Sequence, residues 1–193
     1  MRAAAEHLTP VTLEMGGKSP CLLDETADLA VAARRIAWGK SLNAGQTCVA
    51  PDYLLVPAAM VGAFAKAFRK AVRRFYGDDP VHNPEYPRII TDRHFERLSG
   101  LMENGRVLHG GRGDAVLRKI EPTLLTGVTL ESPVMREEIF GPLLPVLPYA
   151  SVEEAFGIIA RLEKPLAFYL FTKDKALAKR ALREVPFGGG CIN

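Results

Sequence analysis

Three cysteines in 193 residues, none in a close pair, supply neither a disulfide framework nor a thiolate metal site. A reducing, cytoplasmic setting fits that usage. Charge of one sign is also scarce: 25 basic against 22 acidic residues leave a formal +3 spread through helical stretches, which is no argument for a nucleic-acid or membrane-surface partner. No apolar run approaches the length of a membrane span; Leu22-Leu23 and Leu166 to Phe171 are both short. Met1-Arg-Ala-Ala-Ala-Glu-His has no signal-peptide core. Internal repeats and low-complexity tracts are missing. What is present is a hydrophobic fraction of 48% with 24% charge, enough to bury the core of a globular domain.

Apolar periodicity predicts a run of alternating elements. Short strands are expected at Val11–Glu14, Cys21–Leu23, residues 53–56, Arg88–Ile90, around Ile120–Leu125, Leu143–Leu147 and Leu166–Phe171. Helices are expected over Leu29–Leu42, from Pro57 to Tyr76, from Thr91 or Asp92 to Glu103, from Ser151 to Arg161 and from Asp174 to Glu184. Asp28, Ser151 with Glu154, and Asp174 are placed as N-caps. The basic flank Lys66, Arg69, Lys70, Arg73 and Arg74 reads as a solvated helix face. Gly110-Gly-Arg-Gly113 lacks the Gly-Lys-Ser/Thr ending of a phosphate loop and reads as a hairpin or surface turn. The order gives an α/β fold with crossover helices covering a mostly parallel sheet.

Two stretches stand out chemically. Ser41-Leu-Asn-Ala-Gly-Gln-Thr-Cys-Val-Ala-Pro51 puts Cys48 at a helix-to-strand junction, with Gly45 allowing a sharp turn. A thiol there is either a nucleophile served by local backbone N–H groups or a small buried hydrophobe. Glu131-Ser-Pro-Val-Met-Arg-Glu-Glu-Ile-Phe-Gly-Pro142 sets two adjacent carboxylates beside an aromatic and a Gly-Pro break, either capping structure or gripping a ligand's hydroxyls.

Leu13-Glu-Met-Gly-Gly-Lys-Ser-Pro20, Asn43-Ala-Gly-Gln-Thr-Cys-Val-Ala-Pro51 and Glu137-Glu-Ile-Phe-Gly-Pro142 together resemble the aldehyde dehydrogenases. With Thr9-Pro-Val-Thr12, Arg35-Ile-Ala-Trp-Gly-Lys40 and Lys164-Pro-Leu-Ala167, the likeness runs over the whole chain and is nearest the class 3 or fatty aldehyde branch. The resemblance implies that Cys48 attacks the aldehyde and that Glu14 activates the water that hydrolyses the thioester. It implies that Glu138 holds the nicotinamide ribose of NAD or NADP, with Phe140 packing nearby, and that Gly16 and Gly17 let the backbone approach the cofactor. No metal is implied. The partner implied is a small-molecule aldehyde, and the longer parent is expected to be a homodimer.

Family members are usually more than twice this length. Residues 1–14 are accordingly expected to be a remnant of the cofactor-binding domain and domain junction, and residues 15–193 a catalytic domain truncated at its C-terminal end. Cys21 and Cys191 are expected to be packed thiols, and Asp52 and the four histidines to occupy surface or capping positions. Besides an aldehyde-oxidising fragment, an inactive interaction domain and a cofactor-independent thiol esterase remain open readings.

Overall fold

The strands are built from near-continuous apolar runs, as expected where both faces of a sheet are covered. A computed structural model describes residues 1–193. It pairs β1 (Pro20–Leu23), β2 (Tyr53–Pro57), β3 (Arg106–His109), β6 (Thr123–Thr126), β7 (Leu143–Tyr149), β8 (Ala167–Phe171) and β9 (Gly189–Ile192) into one seven-stranded sheet. The order is β3-β6-β7-β2-β1-β8-β9, with every pairing parallel except β3 with β6. Two short strands, β4 (Gly113–Asp114) and β5 (Lys119–Ile120), form a separate hairpin that turns at residues 115–118; the glycine-rich stretch 110–113 leads into it and is not its turn.

Helices cover both faces. On one face α2 (Leu29–Ser41) and α3 (Val61–Tyr76) bury Ile36, Ala37, Phe64 and Phe68 against Cys21, Leu23, Leu54 and Val56. The other face packs Leu98 of α4 (Asp92–Met102), Val134 of α5 (Pro133–Arg136), Ile159 of α6 (Val152–Ala160) and Ala181 of α7 (Lys175–Glu184) onto Leu22, Leu55 and Leu170. Asp28 accepts from Ala30 N and Val31 N, Thr91 from His94 N, Ser151 from Glu154 N and Asp174 from Ala176 N and Leu177 N, so α2, α4, α6 and α7 each start on a side-chain cap, whereas α3 and α5 do not. No helix is long and apolar enough to cross a membrane.

Several expected elements differ. Val11–Glu14 forms no strand: it is exposed throughout and has no neighbouring strand to pair with. Arg88–Ile90 makes no ladder; its polar groups go to Arg118 O and to the Gln46 side chain. Pro57 closes β2, and a 3₁₀ turn at Ala58–Met60 intervenes before α3. The helix α1 (Arg2–Glu6) buries no residue.

The topology fixes where loops can meet. Each crossover helix carries the chain from the carboxyl end of one parallel strand back to the amino end of the next. Residues 14–17, 47–50, 137–141 and 164–166 therefore all emerge at the amino edge of the sheet, just ahead of β1, β2, β7 and β8. Open α/β sheets commonly bind ligands at the opposite edge.

Candidate active site

The turn carrying Cys48 is held in an unusual backbone. After α2, Asn43, Ala44 and Gly45 follow one another in the left-handed region, at φ of 52°, 52° and 72°. Two consecutive non-glycine residues there are strained, and such strain persists only where surroundings over-determine it. The surroundings are visible. Asn43 Nδ2 donates to Gln46 O, and Gln46 Nε2 returns a bond to Asn43 O, both at 2.9 Å. Gln46 also donates to Arg88 O at 3.1 Å and accepts from Ile90 N at 3.0 Å. Gly45 lies so close to the facing loop that a Cβ on it would stand 2.3 Å from Gly141 O. Cys48 follows, half-buried, within a turn closed by Ala50 N donating to Thr47 O at 2.9 Å. The Tyr169 hydroxyl, from β8, donates to Val49 O and anchors that turn to the sheet.

The facing loop is strapped from beneath. Lys18 and Asp52 form a buried ion pair. Lys18 Nζ also donates to Val134 O at 3.0 Å and Glu137 O at 2.9 Å, while Asp52 Oδ1 accepts from Ile139 N at 3.0 Å. From outside, Arg97 donates to Ile139 O at 2.5 Å and to Glu137 Oε1 at 2.6 Å, and His94 Nε2 lies 2.6 Å from Phe140 O. Phe140 sits at φ 51° with its ring partly exposed. Glu138 is left half-buried and accepts one long bond, 3.5 Å, from Gly17 N. Gly16 sits at φ 72°, and a Cβ on it would come within 2.3 Å of Glu138 Oε2, so a side chain there would push that carboxylate aside. Glu14 accepts from Gly16 N at 2.5 Å and is otherwise solvent-exposed.

Burial raises the Glu138 carboxyl above its usual range, and the charges of Asp52 and Glu14 push the same way; Gly17 N–H and Lys40 oppose them. Lys40, in the last turn of α2, is fully buried and its Nζ has no hydrogen-bond partner. Burial lowers its ammonium to about 8 despite the pull of Asp52 and Glu138, with Lys18 adding repulsion.

Glu14, Gly16, Gly17 and Glu138 thus form one group, with Phe140 two residues on. Cys48 shares their sheet edge through the Gly45–Gly141 approach but makes no hydrogen bond to any of them. Sequence reasoning missed Lys18, Lys40, Asp52 and Tyr169. Asp52 belongs in the core, not at the surface or a cap, because its carboxylate neutralises Lys18 and holds Ile139 N–H. Cys21 is buried as expected, whereas Cys191 is exposed, because β9 is an edge strand with no element over it. An apolar cavity of about 360 Å³ opens beside the Cys48 turn, between α2 and β1, β8 and β9; Trp38, Leu42, Thr47, Val49 and Pro51 stand on its wall.

The structure is an α/β domain with a mixed, mostly parallel sheet, in which a strained thiol-bearing turn faces a loop carrying a half-buried carboxylate. The model of the aldehyde dehydrogenase family matches residues 1–193, and the chain belongs to that family. It is 50% identical over 193 residues to the dimeric NADP-preferring aldehyde dehydrogenase of Rattus norvegicus, covering all of this chain and 43% of that protein. Against the 4,4'-diaponeurosporen-aldehyde dehydrogenase of Staphylococcus aureus, identity is 49% over 194 aligned positions, covering 100% of this chain and 42% of the relative. A solved structure of Staphylococcus aureus AldH in its substrate-bound state superposes with a TM-score of 0.95 at 48% identity, over 100% of this chain and 42% of the other. The chain therefore spans less than half the length of the relatives it matches.

Proposed function

We propose that this chain carries the reaction centre for NAD(P)-dependent oxidation of an apolar aldehyde to its carboxylic acid, performed by a longer protein of the class 3 or fatty aldehyde type. The observation that carries this reading is the meeting of three loops at one sheet edge: the Cys48 turn, the Gly16-Gly17 backbone and the Glu138 carboxylate.

Cys48 Sγ adds to the aldehyde carbon and the thiol proton passes to the carbonyl oxygen, giving a thiohemiacetal; the Cys48 backbone N–H would donate to that oxygen. NAD or NADP, when bound, would supply the acceptor for the hydride that leaves this carbon as the thioester forms, the hydroxyl proton passing to solvent. Glu14, free of any side-chain partner, takes a proton from water; the resulting hydroxide adds to the thioester carbon, the C–S bond breaks, and acid and thiol are released. The residues present fit a nicotinamide ribose: Glu138 has unspent acceptor capacity, sits where glycines keep the approach open, and has the exposed Phe140 ring two residues away. The glycine turn at residues 110–113 leads into a hairpin and offers no helix start for a pyrophosphate.

The wall of the cavity favours an apolar tail on the aldehyde. Residues 1–14 form the junction side and residues 15–193 the catalytic domain, a division supported by the exposure of residues 5–15 against the buried residues 18–24. The longer protein is a homodimer, a reading supported by the rat relative's description as dimeric, and three unpaired thiols suit a reducing, cytoplasmic setting. The isolated chain turns over little or no aldehyde, because one residue set cannot position both reactants.

The test joins calorimetric titration of NAD and NADP to a 340 nm assay with hexanal, alongside mass-spectrometric detection of acyl transfer from p-nitrophenyl acetate. Acylation confined to Cys48 and lost in Cys48→Ala is expected. Acylation that survives that substitution would remove Cys48 from the mechanism.

A further inference from the structure

The two helices that cover one face of the sheet, α2 and α3, carry charge of a single sign. Between them they hold eight of the chain's 25 basic residues and no acidic one, which leaves 17 basic against 22 acidic residues elsewhere. The modest overall charge is therefore strongly polarised. Not all eight cations face outward together. Lys40 is buried, and Arg69 and Arg73 turn to a cleft where Asp78, Glu121 and Asp79 offset them and Arg112. The other five, Arg34, Arg35, Lys66, Lys70 and Arg74, are exposed, and none makes an ion pair or a hydrogen bond. Counting Asp24, Glu25 and Asp28 at the amino end of α2 in full against them still leaves a surplus of two. Asp24 is besides turned onto Thr26, and Asp28 onto the first N–H groups of α2.

These cations border a shallow trough between the helices. Arg34, Lys70 and Arg74 line a groove of about 190 Å³ whose other walls are the small residues Ala30, Ala67 and Ala71. Next to it, Arg34 and Arg35 meet Trp38 and Phe75 around a second hollow of about 240 Å³. No acidic residue lines either one. Lys66, Lys70 and Arg74 succeed one another four residues apart along α3, a spacing at which like charges repel, so the arrangement costs stability until anions are brought up to it. Towards the carboxyl end of α2 the surface changes character. Trp38 and Leu42, one turn apart, are 57% and 46% exposed, and both border the apolar cavity beside Cys48. Cations on a helical face with an exposed indole and an aliphatic chain at one end suit a lipid interface, with phosphates for the first and the acyl boundary for the second. A polynucleotide could use the cations and stack on Trp38, but it would leave Leu42 and the apolar cavity mouth unmatched.

We propose that the outer face of α2 and α3 docks on an anionic phospholipid bilayer, with Arg34, Lys66, Lys70 and Arg74 on the headgroups and Trp38 at the acyl boundary. Docking follows from charge and exposure and does not rest on the aldehyde reading. Only its consequence does: an apolar aldehyde dissolved in the bilayer would meet the mouth of the cavity where Trp38 and Leu42 stand.

The chain has a single tryptophan, so Trp38 reports on its own face without a label. The experiment titrates vesicles into the 193-residue chain and reads tryptophan emission alongside co-sedimentation. Vesicles of equal parts phosphatidylserine and phosphatidylcholine are expected to give saturable co-sedimentation with a blue shift of the emission. Pure phosphatidylcholine vesicles give neither, and about 1 M salt, which cuts the screening length to about 3 Å, releases the protein. Lys70→Gln with Arg74→Gln weakens binding on the order of thirtyfold, roughly fivefold for each cation near the surface. Lys175→Gln with Lys179→Gln, which removes two exposed cations from α7 on the opposite face, leaves it unchanged. Equal loss in the two double variants, equal binding to both kinds of vesicle, or co-sedimentation with the Trp38 emission unmoved overturns the proposal. So does a single-stranded oligonucleotide that binds more tightly per phosphate than the vesicles, which would assign the face to nucleic acid. None of these readouts involves Cys48 or an aldehyde, so their failure leaves the catalytic reading standing.

Discussion

Replacing Lys40 by methionine should make the protein more stable, by an amount that depends on pH in a defined way. The ammonium is fully buried, its Nζ finds no acceptor, and burial brings it to about 8 from an ordinary 10.5. That gap corresponds to about 3 kcal/mol of cost for carrying the charge inside rather than in the unfolded chain. The sign follows from proton counting. Between about 8 and 10.5 the unfolded chain holds the proton more tightly than the folded one, so stability rises with pH across that window. Below about 8 both states are protonated and the penalty is present in full. Methionine keeps an unbranched stem of similar length and removes the charge. At pH 7 the gain should be about 2–3 kcal/mol, which for a chain of this size raises Tm by roughly 4–12 °C. Urea unfolding of both proteins from pH 7 to 10.5 is the assay. The difference should shrink towards zero as pH approaches 10.5, and taking the difference cancels groups common to both. A methionine variant less stable than the parent at pH 7, or a difference that ignores pH, would refute the reasoning, because it would mean the ammonium is well paired.

Other substitutions have definite expectations. Asp52→Asn leaves Lys18 buried with its charge uncompensated and should cost about 3–5 kcal/mol in urea unfolding; Lys18→Met with Asp52→Asn should recover much of that loss. Gly45→Ala meets Gly141 O at 2.3 Å from a backbone at φ 72° and should cost at least about 2 kcal/mol, read as a lower Tm. Tyr169→Phe frees Val49 O from its only side-chain donor, costs about 1 kcal/mol, and should change the iodoacetamide rate of Cys48 while leaving buried Cys21 unlabelled.

The sequence made the covered parallel strands readable because they are apolar on both faces, and the crossover helices readable because Asp28, Thr91, Ser151 and Asp174 announce them. Val11–Glu14 carries strand-like residues but meets no partner strand, and a strand exists only through its neighbours. The motifs pointed to Cys48, Glu138 and the paired glycines. They did not disclose the charges underneath, because Lys18 and Asp52 are 34 positions apart and Asp52 reaches Ile139 across 87. Nothing in local pattern distinguishes a buried Lys40 at the end of an amphipathic helix from a solvated one, and only the packing of β2 and the facing loop encloses it. Lys18, although it follows Gly16 and Gly17, is fixed by three acceptors.

The choice of sheet edge has an electrostatic consequence. At the carboxyl edge of a parallel sheet, crossover helices begin, and their free N–H groups make that edge attractive to anions. At the amino edge the same helices end. The carboxyl-terminal poles of α2 and α3 come together there, as the bond from Tyr76 Oη to Ser41 Oγ at 3.2 Å records. A thiolate or an alkoxide formed at this edge gains nothing from those helix dipoles and is opposed by them. The field must then come from elsewhere, and Lys40, buried without an acceptor in the last turn of α2, supplies positive charge beneath loops whose helices cannot, whereas Lys18 is neutralised by Asp52. The instability carried by Lys40 is the thermodynamic mark of a polarity reversed by topology.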